Sequence, residues 1–250
     1  MIPASPERVI RFEGARNVRD LGGLRAAGGI VRHRRVYRAD GLSRLTPRDL
    51  ETFGELGVRT IIDLRYDEER VRAPDRLPPG HEFRIVERGF LPQGSLEMFE
   101  GVNRRRCEAD EAFELMRSNY ARIPFEHAAE FADVLHELLT PDASAHLIHC
   151  TSGKDRTGIA IALILRALGV AVADVVIDYE LSNLEHQPVD VFEGSARPEA
   201  VAVIMAARPE YLLASLDAID REYGDIETYL ERALGFGARE RAALGQLLID

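Results

Sequence analysis

The strongest constraint on the fold is a single run, His149-Cys150-Thr151-Ser152-Gly153-Lys154-Asp155-Arg156-Thr157-Gly158. A short apolar stretch, Ala145 to Ile148, precedes it. A longer apolar-rich segment, Ile159 to Leu168, follows and is closed by Gly169. The first has the length of a buried strand and the second that of a helix. A loop joining the two turns successive N–H groups, and the positive end of the helix, toward one point. A tetrahedral dianion fits that point. The same field favours thiolate over thiol at Cys150. Arg156 adds a two-pronged contact to phosphate oxygens. The run therefore predicts that a phosphoryl group is taken onto sulfur.

Each loop residue carries an expectation. Cys150 is the nucleophile, while the Arg156 side chain and the backbone N–H groups of Thr151, Ser152, Gly153, Lys154, Asp155 and Arg156 hold the oxygens. Gly153 lets the backbone bend around the anion. The Lys154 head, held beside the cup, favours substrates carrying extra phosphate. Asp155 repels a phosphate unless it is protonated when needed or paired to Lys154 or Arg156. Asp63, at the end of the apolar run Thr60 to Leu64, is a competing acid. Its alternative is a strand-end ion pair or turn cap. Cys107 lies in an Arg/Glu-rich segment and reads as an incidental surface or half-buried thiol.

Strands are predicted near 36–38, 60–64, 83–86 and 146–150. Thr46-Pro47-Arg48-Asp49 reads as a helix cap, and Phe131, Val134, Leu135 and Leu138 fall on one helical face. After the loop the pattern is helical, with segments near 172–182, 198–207, 209–222, 226–234 and 239–248. Strands alternating with helices, then a helical C-terminal part, predict an α/β fold with a central sheet. Cys150 and Asp63 then both sit at carboxyl ends of strands, where such sheets bind ligands. The stretch 91–123, with Arg104-Arg105-Arg106, reads as a surface insertion near the pocket, its arginines forming a solvated face. No linker or repeat interrupts residues 1–250, so one domain is expected.

Composition excludes several classes. A formal net charge of −10 argues against nucleic acid and against adhesion to anionic membranes. Two cysteines make no disulfide framework, which fits a reducing compartment. Met1 to Gly14 has no apolar leader core, and no run is long enough to span a bilayer, so the cytoplasm is expected. No His/Cys/Asp cluster with metal spacing is visible, and neither metal nor cofactor is expected.

The run resembles the Cys-x5-Arg signature of protein tyrosine phosphatases. Its Gly-Lys-Asp-Arg-Thr-Gly form is similar to an atypical bacterial subgroup of tyrosine and lipid phosphatases. Arg16-Asn17-Val18-Arg19-Asp20-Leu21-Gly22-Gly23, Val36 to Leu42, Thr60 to Arg65, Asp178 to Asn183 and the stretch from Arg208 to Tyr229 resemble further blocks of that subgroup, in order. The resemblance implies a tyrosine-phosphatase-like sheet and hydrolysis through a phosphocysteine. The implied substrate is phosphotyrosine in proteins or peptides, with a phosphoinositide as the alternative. It also implies that Thr157 hydrogen-bonds the sulfur, that His149 steadies the thiolate from behind the loop, and that Asp155 moves a proton. Arg19 and Asp20 are expected to organise structure near the pocket. Conventional members bring their acid on a Trp-Pro-Asp loop, and this chain has no Trp. Some relatives are exported by routes that leave no recognisable signal. A phosphate-binding module without turnover, and sulfur transfer or arsenate reduction, are the rival readings. Intact Cys150, Arg156 and Thr157 argue against the first, and the single other cysteine against arsenate reduction.

Overall fold

The short apolar runs form strands because their side chains alternate between two buried faces. In β5 (Val58–Asp63) and β7 (Ala145–His149), Ile61 and Leu147 enter one core cluster while Ile62 and Ile148 enter the other. The computed structural model describes residues 8–140, 144–184, 192, 194 and 196–250. Part of the leader reading, residues 1–7, lies outside the described residues.

The chain opens with β1 (Arg19–Asp20), a small hairpin of β2 (Arg25–Ala26) and β3 (Gly29–Ile30), and β4 (Val36–Ala39). Then come α1 (Pro47–Glu55), β5, α2 (Asp67–Arg72) and β6 (Arg84–Glu87). Helices α3 (Ser95–Asn103), α4 (Ala109–Glu126) and α5 (Ala128–Glu137) lead to β7. After β7 stand α6 (Asp155–Ala167), α7 (Val172–Glu180), a tight turn at Leu181–Leu184, α8 (Pro198–Met205), α9 (Pro209–Tyr223), α10 (Ile226–Leu234) and α11 (Ala238–Leu248). The sheet order is β1-β4-β7-β5-β6, parallel except for β1 against β4. The α/β architecture with a helical C-terminal part is as the alternation predicted, and strand and helix limits agree within two residues or so.

The β7 strand is central, and α6 springs from its end. Of the residues of α6 only Asp155 and Arg166 escape burial, so the helix is fixed on all sides. Such a helix cannot tilt without disrupting a close-packed core. One expectation is corrected. The stretch 91–123 is no surface insertion, because α4 packs along α8 and α9 and buries Met116, Tyr120 and Ile123. Its polar composition hid a one-sided apolar face. Cys107 is likewise corrected to a buried thiol, 4% exposed and packed against Gly101.

The cap predicted at Thr46 has a wider reach than its own helix. Asp49 accepts from the Thr46 N–H and also from the N–H groups of Glu13 and Gly14, tying the N-terminal segment to α1. Burial alone raises its pKa, but these donors hold it below the usual carboxylate range. Asp49→Ala is expected to cost about 2 kcal/mol, as loss of a cap plus charged hydrogen bonds. Because the folded pKa is the lower one, this contribution is present above the unfolded value of about 4 and fades as pH falls through the folded value. Thermal unfolding of both proteins between pH 7 and pH 2 checks it: the gap should narrow in acid.

Candidate active site

Cys150 follows the last residue of β7, and Lys154 precedes the first residue of α6. Among the described residues, the N–H groups of Thr151, Ser152 and Gly153 donate to no backbone carbonyl. The carbonyls are taken instead. Thr151 O accepts from Gly41 N at 3.2 Å, Gly153 O from Arg38 Nη2 at 2.7 Å and Asn17 Nδ2 at 2.8 Å, and Lys154 O from Gly158 N at 2.8 Å. Gly153 has φ +63°, and a Cβ there would stand 2.5 Å from the Ala39 carbonyl oxygen. Only glycine meets both demands.

Arg156 is 8% exposed and fixed from several sides. Its Nη1 donates to Leu64 O and Phe90 O, both at 3.0 Å, and to Glu69 Oε2 at 2.5 Å. Its Nη2 donates to Glu69 Oε1 at 2.7 Å and to Thr151 Oγ1 at 3.4 Å. Nε makes no hydrogen bond among the described residues, so its N–H is still a donor to offer. Thr151 Oγ1 also donates to Glu69. Burial raises the Glu69 pKa, but hydrogen bonds and charge from Arg156 win and keep it low. Burial disfavours the Arg156 cation, yet Glu69 and the Cys150 charge push its pKa up.

The remaining predicted residues fall as follows. Asp155 Oδ1 accepts from the Tyr120 hydroxyl at 2.7 Å and stands 3.3 Å from Lys154 Nζ, while Oδ2 accepts from Ser152 Oγ at 3.3 Å. Tyr179 in turn donates to Tyr120 at 2.7 Å. Asp63, 1% exposed, is closed off behind the loop by the N–H, Nε and Nη2 of Arg65. Burial raises its pKa, but His149 and Arg65 bring it below the carboxylate norm. Its place is that of the strand-end ion pair. The buried His149 ring lies against Cys150 O at 3.4 Å on one side and 3.3 Å from Asp75 on the other. Burial disfavours its charge, and Asp75 and Asp63 outweigh that, raising its pKa. Asp63, Asp75 and His149 lie close enough to share an ion, but Arg65 holds a guanidinium against both carboxylates.

Two expectations differ. Lys154 is 2% exposed, its ammonium donating to the carbonyls of Ile204 and Ala206 at the end of α8. A buried ammonium needs acceptors, and the free carbonyls and negative end of a helix supply them. The Thr157 hydroxyl is buried with no hydrogen-bond partner among the described residues, so the bond to sulfur is not formed here. Glu69, Tyr120 and Asp75 were missed in the sequence. Glu69 stands in an acidic run, Asp67-Glu68-Glu69, with no motif to single it out, and Tyr120 falls within the stretch 91–123.

Beside Arg156 and Asp155 opens a cavity of about 170 Å³. Its walls are mainly apolar, from Leu91, Met98, Phe99, Met116, Ile123 and Ile204. Among the described residues no helix is long and apolar enough to cross a membrane.

A sequence model described as the tyrosine phosphatase family matches residues 10–250. The chain belongs to that family. A Cupriavidus necator protein provisionally named a tyrosine-protein phosphatase is 32% identical over 233 residues, covering 90% of this chain and 84% of its own. The triple specificity protein phosphatase PtpB of Mycobacterium tuberculosis is 29% identical over 263 residues, 90% of this chain and 94% of its own. A tyrosine-protein phosphatase of Nostoc commune is 29% identical over 231 residues, 84% of this chain and 74% of its own. The protein is thus a tyrosine phosphatase by family, and Glu69 stands at the hub of its site.

Replacing Glu69 by Gln keeps one acceptor oxygen but removes the charge facing Arg156. Loss of a charge-assisted pair of about 1.5–3 kcal/mol predicts at least about a tenfold fall in kcat/KM on an aryl phosphate. An unchanged or higher kcat/KM would mean that Glu69 competes with the substrate for Arg156 instead of orienting it.

Proposed function

We propose that this phosphatase hydrolyses phosphotyrosine in proteins or peptides through a phosphocysteine at Cys150. The observation that carries the reading is the Arg156 guanidinium, fixed by Glu69, Leu64 O and Phe90 O beside a loop whose N–H groups lack backbone partners. Donors fixed before the substrate arrives stabilise charge as it builds on the equatorial oxygens. Cys150 Sγ attacks phosphorus in line, the P–S bond forms and the P–O bond to the tyrosine oxygen breaks. Asp155 gives that oxygen its proton. A water then attacks phosphorus, returns a proton to Asp155 and releases the thiolate and phosphate.

Asp155 suits the acid role better than Asp63. It is part-exposed on the cavity wall, whereas Asp63 is buried with its lone pairs engaged by Arg65. The apolar cavity supports an aromatic ester, since a ring gains most from such walls. The Lys154 ammonium, engaged with carbonyls at the end of α8, lends little support to a multiply phosphorylated lipid. The triple specificity named for the M. tuberculosis relative keeps a broader range in view.

Turnover of p-nitrophenyl phosphate should survive a chelator and vanish in Cys150→Ser. Phosphotyrosine peptides should exceed phosphoserine peptides and phosphoinositides in kcat/KM, and a preference for the lipid would overturn the substrate assignment. Asp155→Asn should lose far more on phosphotyrosine than on an activated aryl phosphate, because only the poor leaving group needs the proton. Asp63→Asn should lose about equally on both. If Asp63→Asn alone steepens the leaving-group dependence, Asp155 is not the acid.

A further inference from the structure

Five sequence blocks stand outside the catalytic loop, and three of them meet directly behind it. Asn17 and Arg19 come from the first, Arg38 from the second, and Asp178 and Ser182 from the block after α6. All are buried, Arg38 completely. Arg38 Nη1 donates to Asp178 Oδ2 at 2.9 Å, Arg19 donates to Asp178 at 3.1 and 3.2 Å, and Arg8 reaches the same carboxylate at 2.5 Å. Three guanidinium groups therefore share one carboxylate. Arg38 Nη2 and Asn17 Nδ2 both end on the carbonyl oxygen of Gly153.

Two facts make this more than a structural ion cluster. The acceptor is the backbone of the loop that holds Cys150 and Arg156, at the residue with φ +63°. With its oxygen held from behind, the peptide plane between Gly153 and Lys154 cannot turn over. Also, Arg38 is near enough to Cys150 to feel its charge. Burial and Arg19 lower the Arg38 pKa to about 9, which leaves it charged at neutral pH. Asp178, held by all three arginines, stays ionised despite its burial.

We infer that Arg38 is a positioning residue for anion binding. With Asn17 it pins the Gly153 carbonyl so that the loop keeps its N–H groups turned to the cup, and the surplus of guanidinium over carboxylate adds positive potential there. The inference rests on the reading of the loop as the phosphoryl site. It does not depend on turnover. Arg38 touches neither phosphate nor sulfur and acts through the loop backbone and the field. Asn17, at φ +57°, supplies the second anchor.

The test measures anion binding without catalysis. Inorganic phosphate is titrated calorimetrically into Cys150→Ser protein with Arg38 intact, Arg38→Met, Arg38→Lys or Asn17→Gly. Arg38→Met should weaken phosphate at least about tenfold, the scale of one buried charged hydrogen bond, and Arg38→Lys should recover part of the loss. Glycine accepts the backbone angle of Asn17 and leaves all three arginines, so Asn17→Gly should weaken phosphate by about threefold or more. With Cys150 intact, and in variants whose near-native fold is verified by circular dichroism, the ratio of iodoacetate to iodoacetamide alkylation rates at Cys150 reads the potential at the sulfur. That ratio should drop several-fold in Arg38→Met and stay near native in Asn17→Gly. Phosphate affinity within twofold of the parent in a folded Arg38→Met protein overturns the inference, as does an unchanged labelling ratio. Should Arg38→Met fail to fold, unchanged phosphate binding in Asn17→Gly overturns it by itself. A parent that binds no phosphate at millimolar concentration overturns it too. Phosphate binding with these dependences, but no hydrolysis by the native protein, would sink the proposed reaction and leave the inference standing.

Discussion

A loop that turns several N–H groups to one side must turn carbonyls to the other, and buried carbonyls need donors. That requirement organises this phosphatase. The carbonyl of His149 is met by Leu64 N, that of Thr151 by Gly41 N, that of Gly153 by Arg38 and Asn17, and that of Lys154 by Gly158 N. The donors come from separate segments: the residues after β5 and β4, β4 itself, the residues before β1, and α6. The sheet order follows the same need. With β7 between β4 and β5, both neighbours end beside the loop and can supply those donors.

Charge is distributed around the loop in shells of alternating sign. Arg156 faces the cup and is backed by Glu69, and Arg38, Arg19 and Arg8 lie beneath with Asp178 among them. His149 is backed by Asp75, and Asp63 by Arg65. Each of these charges has a partner of opposite sign. That arrangement is needed because an unpartnered ion inside a protein costs several kcal/mol. It also means that the protein, negative overall, holds a local positive site.

The helical C-terminal part serves the site as well as the core. Helix α8 receives the Lys154 ammonium on the carbonyls of its last turn, and Ile204 lines the cavity. Helix α4 brings Tyr120 to Asp155 and, with α3, supplies Met98, Phe99, Met116 and Ile123 to the cavity wall. The same elements that bury Cys107 and the α4 face thus set how apolar the space beside the loop is.

The sequence by itself determined the α/β alternation, the strand–loop–helix run, and the placing of Cys150 and Arg156 at its two ends. These are local matters: a 2-residue period, a 3.6-residue period, glycine where φ is positive, and a spacing counted along one short segment. It also held both readings of Asp63, as acid and as strand-end ion pair. Only the tertiary structure shows the ion pair formed, because the Arg65 side chain turns back on Asp63 at the end of β5. The fold alone made Glu69 the partner of Arg156, since an acid in the first turn of a short helix looks solvated until another arginine is packed on it. It alone sent the Lys154 ammonium to α8 and brought Asn17, Arg19, Arg38 and Asp178 together, across as many as 161 positions of chain (178 − 17). Which carboxylate meets which guanidinium is decided by sheet order and helix packing, and no period in a single sequence encodes it.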